Sequence, residues 1–311
     1  MKELLGLSGK TILVTGCEGM LGTAFTEILR NLTDVNLEAC AHNRLDVTDY
    51  ESVLQFADFS PDIVIHCAAE VDAERCQKNP DKCRRVQVEG TRNIVALSKA
   101  TGAKILYPQS FLIFDGSVIP ILETTSPSPI SIYGKYKFEA EQIVRGATDS
   151  SLVLRMAGFF GGEEKDKNFV GKFVRQIHRL IIEGVKSYEV GDRVWQPTYT
   201  NDLAFNSLLL LARNKHGVYN MASHGTASFY ELAKAVVHDL GLDTLISIIP
   251  VTETEVTGSE RAPRPAIGMM ENRRLISERL DFQRPWRDAL TDYLHRPYFQ
   301  KMFANILLER P

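Results

Sequence analysis

The chain lacks the features that mark membrane, secreted and metal-scaffolded proteins. No apolar run is long enough to span a bilayer, and the start, Met1-Lys2-Glu3, carries no signal-peptide pattern. No CxxC pair occurs. The five cysteines (Cys17, Cys40, Cys67, Cys76, Cys83) are odd in number and lie in the first third, and Cys76 and Cys83 sit at a spacing helices produce freely, with no histidine at a metal-ligand offset. They read as free thiols in a reducing cytosol, and no metal site is expected. There is no basic tail and the net charge is only −3, so charge argues for neither nucleic acid nor a membrane as partner. Repeats and low-complexity tracts are also missing. What remains is an ordinary globular composition, 44% hydrophobic and 24% charged, over 311 residues, enough for one or two domains around a large core.

One local feature stands out from this background. The β-branched run Thr11–Thr15 leads into Gly16, Gly19 and Gly22, spaced three apart, and a helical pattern follows. A strand that feeds a helix through glycines gathers backbone N–H groups and a helix N-terminus at one point, which suits a pyrophosphate. Gly16 permits the tight turn, Gly19 lets backbone approach phosphate, and Gly22 lets the helix pack closely on the strand. Met20 and Leu21 open that helix beside the same point.

Strand patterns at Thr11–Thr15, Leu37–Ala41, Ile63–Cys67, Ile105–Pro108 and Leu152–Arg155 alternate with helical patterns at Gly22–Asn31, Asp49–Ala57, Asp81–Thr101 and Tyr133–Arg145. This predicts an α/β fold, a Rossmann-like doubly wound parallel sheet. The dinucleotide-binding domain is expected over 1–155, with a returning segment near 194–216. Residues 156–193 and 217–311 are expected to form a smaller substrate-binding lobe over the sheet's carboxyl edge. Helical periodicity recurs at Asn168–Gly184 and Ser228–Leu240, a β-branched run occupies Leu245–Val251, and prolines break Ile119–Pro129 and Arg261–Pro265.

Tyr133 and Lys137 lie one helical turn apart on one face. A nearby ammonium favours the phenolate, so the pair is suited to passing a proton to a carbonyl oxygen. Tyr230 and Lys234 repeat the spacing, but far beyond the glycine-fingerprint region, where a surface lysine beside a half-buried ring is the simpler reading. Ser110 follows the fourth strand and precedes Tyr133 by one loop, so its hydroxyl is a candidate donor to the same carbonyl.

Together these residues resemble the extended short-chain dehydrogenase/reductase superfamily: Gly16-x-x-Gly19-x-x-Gly22, Leu45-Asp46-Val47-Thr48-Asp49, Cys67-Ala68-Ala69, and Ser110 with Tyr133-x-x-x-Lys137. Phe114-Asp115-Gly116, Asn168-Phe169-Val170, Gln196-Pro197-Thr198-Tyr199, Gly217-Val218-Tyr219-Asn220 and Arg264-Pro265 are similar, in order, to the dTDP-4-dehydrorhamnose reductase family. The resemblance runs from about Lys10 to Leu294. It implies a cytoplasmic enzyme that transfers hydride from NADPH or NADH to the 4-keto carbon of a nucleotide-linked 6-deoxyhexose, as in dTDP-rhamnose biosynthesis. Tyr133 would be the proton donor, Ser110 its partner, and Lys137 the ribose-binding lysine. Gly16, Gly19 and Gly22 would cradle the pyrophosphate, Asp46 and Val47 would meet the adenine, and Cys67, Ala68 and Ala69 would line the cofactor cleft. Asn168, Pro197 and Arg264 would lie on the sugar-nucleotide side. The family leaves a homodimer open. No acidic cluster here offers a metal site.

The departures from the family concern the substrate. Ser110-Phe111-Leu112 stands where the family has Thr-Asp-Tyr, Gln87 stands at a usual asparagine, and Trp195-Gln196 replaces smaller residues. Phe111 and Trp195 are expected to form an apolar wall over sugar or base, with Gln196 nearby. A 4,6-dehydratase would need an acid and base after Ser110, which Phe111 and Leu112 do not supply. An epimerase, or the non-catalytic regulatory subunit of methionine adenosyltransferase, remains an alternative. The second strand is followed by Ala41-His42-Asn43-Arg44, with no acid before Asp46, so Arg44 is expected to face a 2′-phosphate and NADPH to be preferred.

Overall fold

A computed structural model describes residues 2–148, 150–252 and 262–308. Six strands form one all-parallel sheet: β1 (Thr11–Thr15), β2 (Asn36–Cys40), β3 (Ile63–His66), β4 (Lys104–Ser110), β5 (Leu152–Met156) and β10 (Gly217–Met221). Their order is β10-β5-β4-β3-β1-β2. The order reverses between β1 and β3, which puts the crevice for a ligand just beyond the carboxyl ends of those strands.

Strand alternation separates two apolar layers. Ile12, Val14, Ile65, Leu106, Leu152 and Leu154 face α1 (Met20–Arg30) and α8 (Thr200–Ala212). Leu13, Val64, Ile105, Tyr107 and Val153 face the side of α5 (Gly90–Thr101) and α6 (Ile132–Ala147). Both faces are therefore covered, as the continuous apolar run Ile63-Val64-Ile65 predicts.

Several boundaries differ from the sequence reading. Gly217–Met221, assigned to the later lobe, is the sixth strand of the main sheet, paired with β5 from Gly217↔Leu152 to Met221↔Met156. The fourth strand continues through Pro108 to Ser110, paired there with β5 alone: its register with β3 ends at Ile65↔Leu106, so the proline's missing N–H is tolerated as on an edge. The helix expected over Asp81–Thr101 is continuous but carries a π-helical turn. Asn79 caps a short helix, α4 (Pro80–Arg84), a π-helical turn follows at Arg85–Glu89, and α5 then begins at Gly90. Arg261 lies outside the described residues.

A second core is built from later segments. Phe160, Phe173, Val174, Trp195, Leu232, Val236, Leu290, Tyr293 and Phe299 pack together there. They come from α7 (Phe169–Ile182), α9 (Phe229–Asp239), the helices Trp286–Leu294 and Pro297–Leu308, and small two-stranded sheets. In one of these, β12 (Ser247–Val251) pairs in parallel with β7 (Ser187–Gly191), a strand the sequence did not signal. No helix among the described residues is long and apolar enough to cross a membrane.

Candidate active site

The glycine turn has no spare room. Gly16 has φ +66°, and a Cβ there would come within 2.7 Å of the Ala68 backbone nitrogen. A Cβ on Gly22 would overlap the Gly16 carbonyl, so α1 sits directly on the turn. Gly19 is the N-cap of α1 and supplies no side-chain hydrogen bond, and the first turn carries no acid. The helix N-terminus is thus left with its orphan N–H groups and positive dipole end, a fit for a dinucleotide's diphosphate. Cys67, Ala68 and Ala69 follow β3 directly opposite, half-buried, across the switch point. Burial pushes the Cys67 thiol up to about 12, so it is inert lining.

Beyond β2, Asp46 uses its carboxylate locally. Its Oδ1 accepts from Thr48 N at 2.9 Å and Thr48 Oγ1 at 2.8 Å. Val47 is buried against Gly90 of α5. Arg44 is exposed, 3.5 Å from Glu38 and stacked 5.4 Å from the Phe56 ring centroid.

Tyr133 enters on the first turn of α6, which Ser131 caps through Gly134 N at 3.1 Å. Gly134 admits close contact, since a Cβ there would overlap the Leu112 carbonyl. That contact holds the Ser110–Leu112 segment at the carboxyl end of β4 against the helix. Ser110 Oγ accepts from Leu112 N at 3.2 Å and lies beside the Tyr133 phenol, acting on its protonation. Tyr133 is only 8% exposed and packs with Ala73, Cys76, Cys83 and Ala262.

Burial raises the phenol above its ordinary value, Cys76 adds to the shift, and the neighbouring Ser110 hydroxyl acts against it. The phenol is therefore held in its protonated, proton-donating form. The expectation that Lys137 sets a lowered phenol pKa is not what the geometry gives. Lys137 Nζ instead donates to the Pro108 carbonyl and lies 4.1 Å from the Tyr107 ring centroid. Burial brings its own pKa down to about 7.

Sequence reasoning assigned no role to His66. Its Nδ1 lies 2.9 Å from Thr15 Oγ1 and its Nε2 3.3 Å from Thr91 Oγ1, while Thr15 Oγ1 accepts from Ala68 N at 3.2 Å. Burial depresses the ring to about 3, so this chain is neutral and pins the Cys67–Ala69 wall to β1 and α5. Nothing in the spacing signals it, because a lone histidine ending an apolar strand reads as core. Gln87 belongs to the same wall: its Nε2 donates to the Glu70 carbonyl at 2.8 Å.

The outer residues divide. Phe111 is half-buried over Gly268, packed beside Ala157 and Met270 at the sheet's carboxyl edge. Arg264 is ion-paired with Glu74 at 3.0 Å, and the adjacent Ala262 reaches the Tyr133 cluster. Asn168 stands at the N-terminal boundary of α7 without capping it, its Nδ2 donating instead to the Phe159 carbonyl at 2.7 Å. Pro197 is buried.

Two expected pocket residues turn inward. Gln196 is buried, donating to the Met270 carbonyl at 3.0 Å and accepting from Met270 N, so its amide is a clasp between segments. Trp195 lies in the second core, against Gly158 and 5.4 Å from the Phe229 ring centroid, because the missing Gly158 side chain leaves a slot an indole fills. The wall expected from Phe111 and Trp195 therefore reduces to Phe111. Lys234 is exposed and sits 5.7 Å from the Tyr230 ring centroid on α9, the simpler reading of that repeat.

Known proteins share this architecture. The RmlD substrate binding domain family matches residues 10–299. Spore coat polysaccharide biosynthesis protein SpsK of Bacillus subtilis (strain 168) is 31% identical over 91% of this chain and 96% of its own length. Methionine adenosyltransferase 2 subunit beta of Xenopus tropicalis is 27% identical over 93% and 89%. A dTDP-4-dehydrorhamnose reductase from Bacillus anthracis str. Ames, solved in complex with NADP, superimposes with a TM-score of 0.82 at 25% identity, covering 92% of this chain and 98% of that one. The chain belongs to the RmlD family, the dTDP-4-dehydrorhamnose reductase family of the extended short-chain dehydrogenase/reductase fold.

Proposed function

We propose that the protein is an NAD(P)H-dependent reductase of a nucleotide-linked 4-keto-6-deoxyhexose, with Tyr133 as proton donor. The observation that carries the reading is a buried, protonated Tyr133 beside Ser110 at the carboxyl end of β4, on the sheet edge that also carries the glycine turn. The backbone of Gly16–Gly22 and the α1 N-terminus hold the dinucleotide's diphosphate. Cys67, Ala68 and Ala69 line its cleft, Val47 flanks the adenine, and Lys137 binds the ribose. The reduced nicotinamide, when bound, supplies the hydride. Ser110 orients the substrate carbonyl, and Tyr133 delivers the proton that its oxygen takes up, the role its raised pKa suits. Phe111 covers an apolar face of the sugar, with Asn168, Pro197 and Arg264 toward the nucleotide; Arg264 suits a diphosphate by charge and fork geometry. The Asp46 carboxylate, already bonded to Thr48, is a poor acceptor for ribose hydroxyls. That and the exposed Arg44 support NADPH over NADH.

The similarity to methionine adenosyltransferase subunit beta keeps a regulatory, non-catalytic role as the second reading. Incubation with NADPH and a panel of nucleotide 4-keto-6-deoxy sugars separates them. Stoichiometric cofactor oxidation supports the reductase, whereas interconversion without net oxidation indicates an epimerase. Tight cofactor binding without turnover, together with stable association with a methionine adenosyltransferase, indicates the regulatory role.

A further inference from the structure

We infer that Lys165, carried by the loop between β6 (Phe159–Phe160) and α7, is a cofactor-binding residue that closes on the diphosphate from the second core. The inference rests on the cofactor reading above. The Lys165 ammonium lies 3.3 Å from Thr23 Oγ1 on the first turn of α1. In the same loop, a Cβ on Gly162 would stand 3.5 Å from the Met20 Cα, so backbone as well as side chain reaches the glycine turn.

The loop is held from behind rather than hung in solvent. Asp166 is fully buried and accepts from Gly161 N at 3.1 Å, Asn168 N at 2.9 Å and Tyr293 Oη at 3.3 Å. Tyr293 Oη also accepts from Glu163 N at 2.9 Å, and Glu163 pairs with Arg296 at 2.6 Å. These contacts fix Lys165 to the second core while its tip rests on the first.

Charge gives the lysine a task. The turn carries its own carboxylate, Glu18, and a dianionic diphosphate seated there meets it. Two cations act on Cys17 within the turn, Arg30 from the far end of α1 and Lys165 from the opposing loop. Of these, Lys165 touches the helix's first turn, where the free N–H groups are. Diphosphate bound to those groups is within reach of the ammonium from the other side, and one ligand then bridges the two cores.

The test is direct binding. ADP-ribose carries the diphosphate without redox chemistry, and AMP carries a single phosphate. Lys165→Ala is expected to weaken ADP-ribose and NADPH about tenfold or more, the size of a charge-assisted hydrogen bond, and to leave AMP unchanged. Lys165→Arg should restore binding, and Lys167→Ala, an exposed lysine in the same loop, should not affect it. The wild-type affinity for ADP-ribose should also fall more steeply with salt than that of Lys165→Ala. Equal ADP-ribose affinity in wild type and Lys165→Ala overturns the inference alone. Failure of the wild type to bind NADPH, NADH and ADP-ribose overturns the cofactor reading and the inference with it.

Discussion

Tyr133 and Lys137 occupy one helix face, yet burial acts on them in opposite senses. The neutral phenol is favoured and so is the neutral amine, the latter with a pKa near 7. This division suits proton donation by Tyr133 and ribose binding by a lysine whose charge strengthens once ligand oxygens approach. Trp195 shows how a single residue misleads. As a large aromatic near Pro197 it reads as a pocket wall, but Gly158, distant in sequence, provides the slot that draws it into the core. Trp195→Ala should therefore cost about 3–5 kcal/mol of stability, measured by denaturant unfolding, with KM for the sugar nucleotide little changed in the folded fraction. A KM shift with unaltered stability would return Trp195 to the site. Phe111→Ala should do the converse, raising KM with a smaller loss of stability, because the ring is half exposed at the sheet edge.

Among elements, the β1–turn–α1 unit was legible because its chemistry is local: β-branched residues, then three glycines at fixed spacing. Gly22→Ala tests it. The added methyl overlaps the Gly16 carbonyl, so α1 must shift, costing about 1–3 kcal/mol and weakening NADPH binding. Unchanged affinity would mean the N-terminus of α1 does not seat the cofactor. The loop at 161–168 was not legible, since its order comes from Tyr293 and Arg296 far along the chain. Its buried Asp166 has a pKa raised from 3.8 to about 6, mainly by burial. The folded protein binds the proton more tightly than the unfolded chain, so this group's contribution is complete below about pH 4 and is lost as pH rises through 6. Asp166→Asn should flatten that descending limb in a stability–pH series. An unchanged limb would show that Asp166 does not titrate there.

At the scale of the whole molecule, two cores meet around one sheet edge. The main sheet was readable from periodicity, apart from β10: Gly217–Met221 follows α8 directly, but only its pairing with β5 places it in the sheet. The second core was hardly readable, because strand pairs such as β7–β12 join segments about sixty residues apart. The candidate site followed the same rule. Residues grouped by motif and chain order, Gly16 to Gly22 and Ser110 with Tyr133 and Lys137, were legible as candidates. Those recruited across the fold, His66 with Thr15 and Thr91, and Lys165, were not. The proposed chemistry turns on Tyr133 delivering the proton in a carbonyl reduction. The most direct measurement is the rate of bound-NADPH oxidation on mixing with a nucleotide 4-keto-6-deoxyhexose that the wild type turns over, compared between wild type and Tyr133→Phe. In Tyr133→Phe the rate is expected to fall about 10²–10⁴-fold with NADPH affinity retained, while Tyr230→Phe behaves as wild type. A Tyr133→Phe rate equal to wild type would contradict the proposed chemistry.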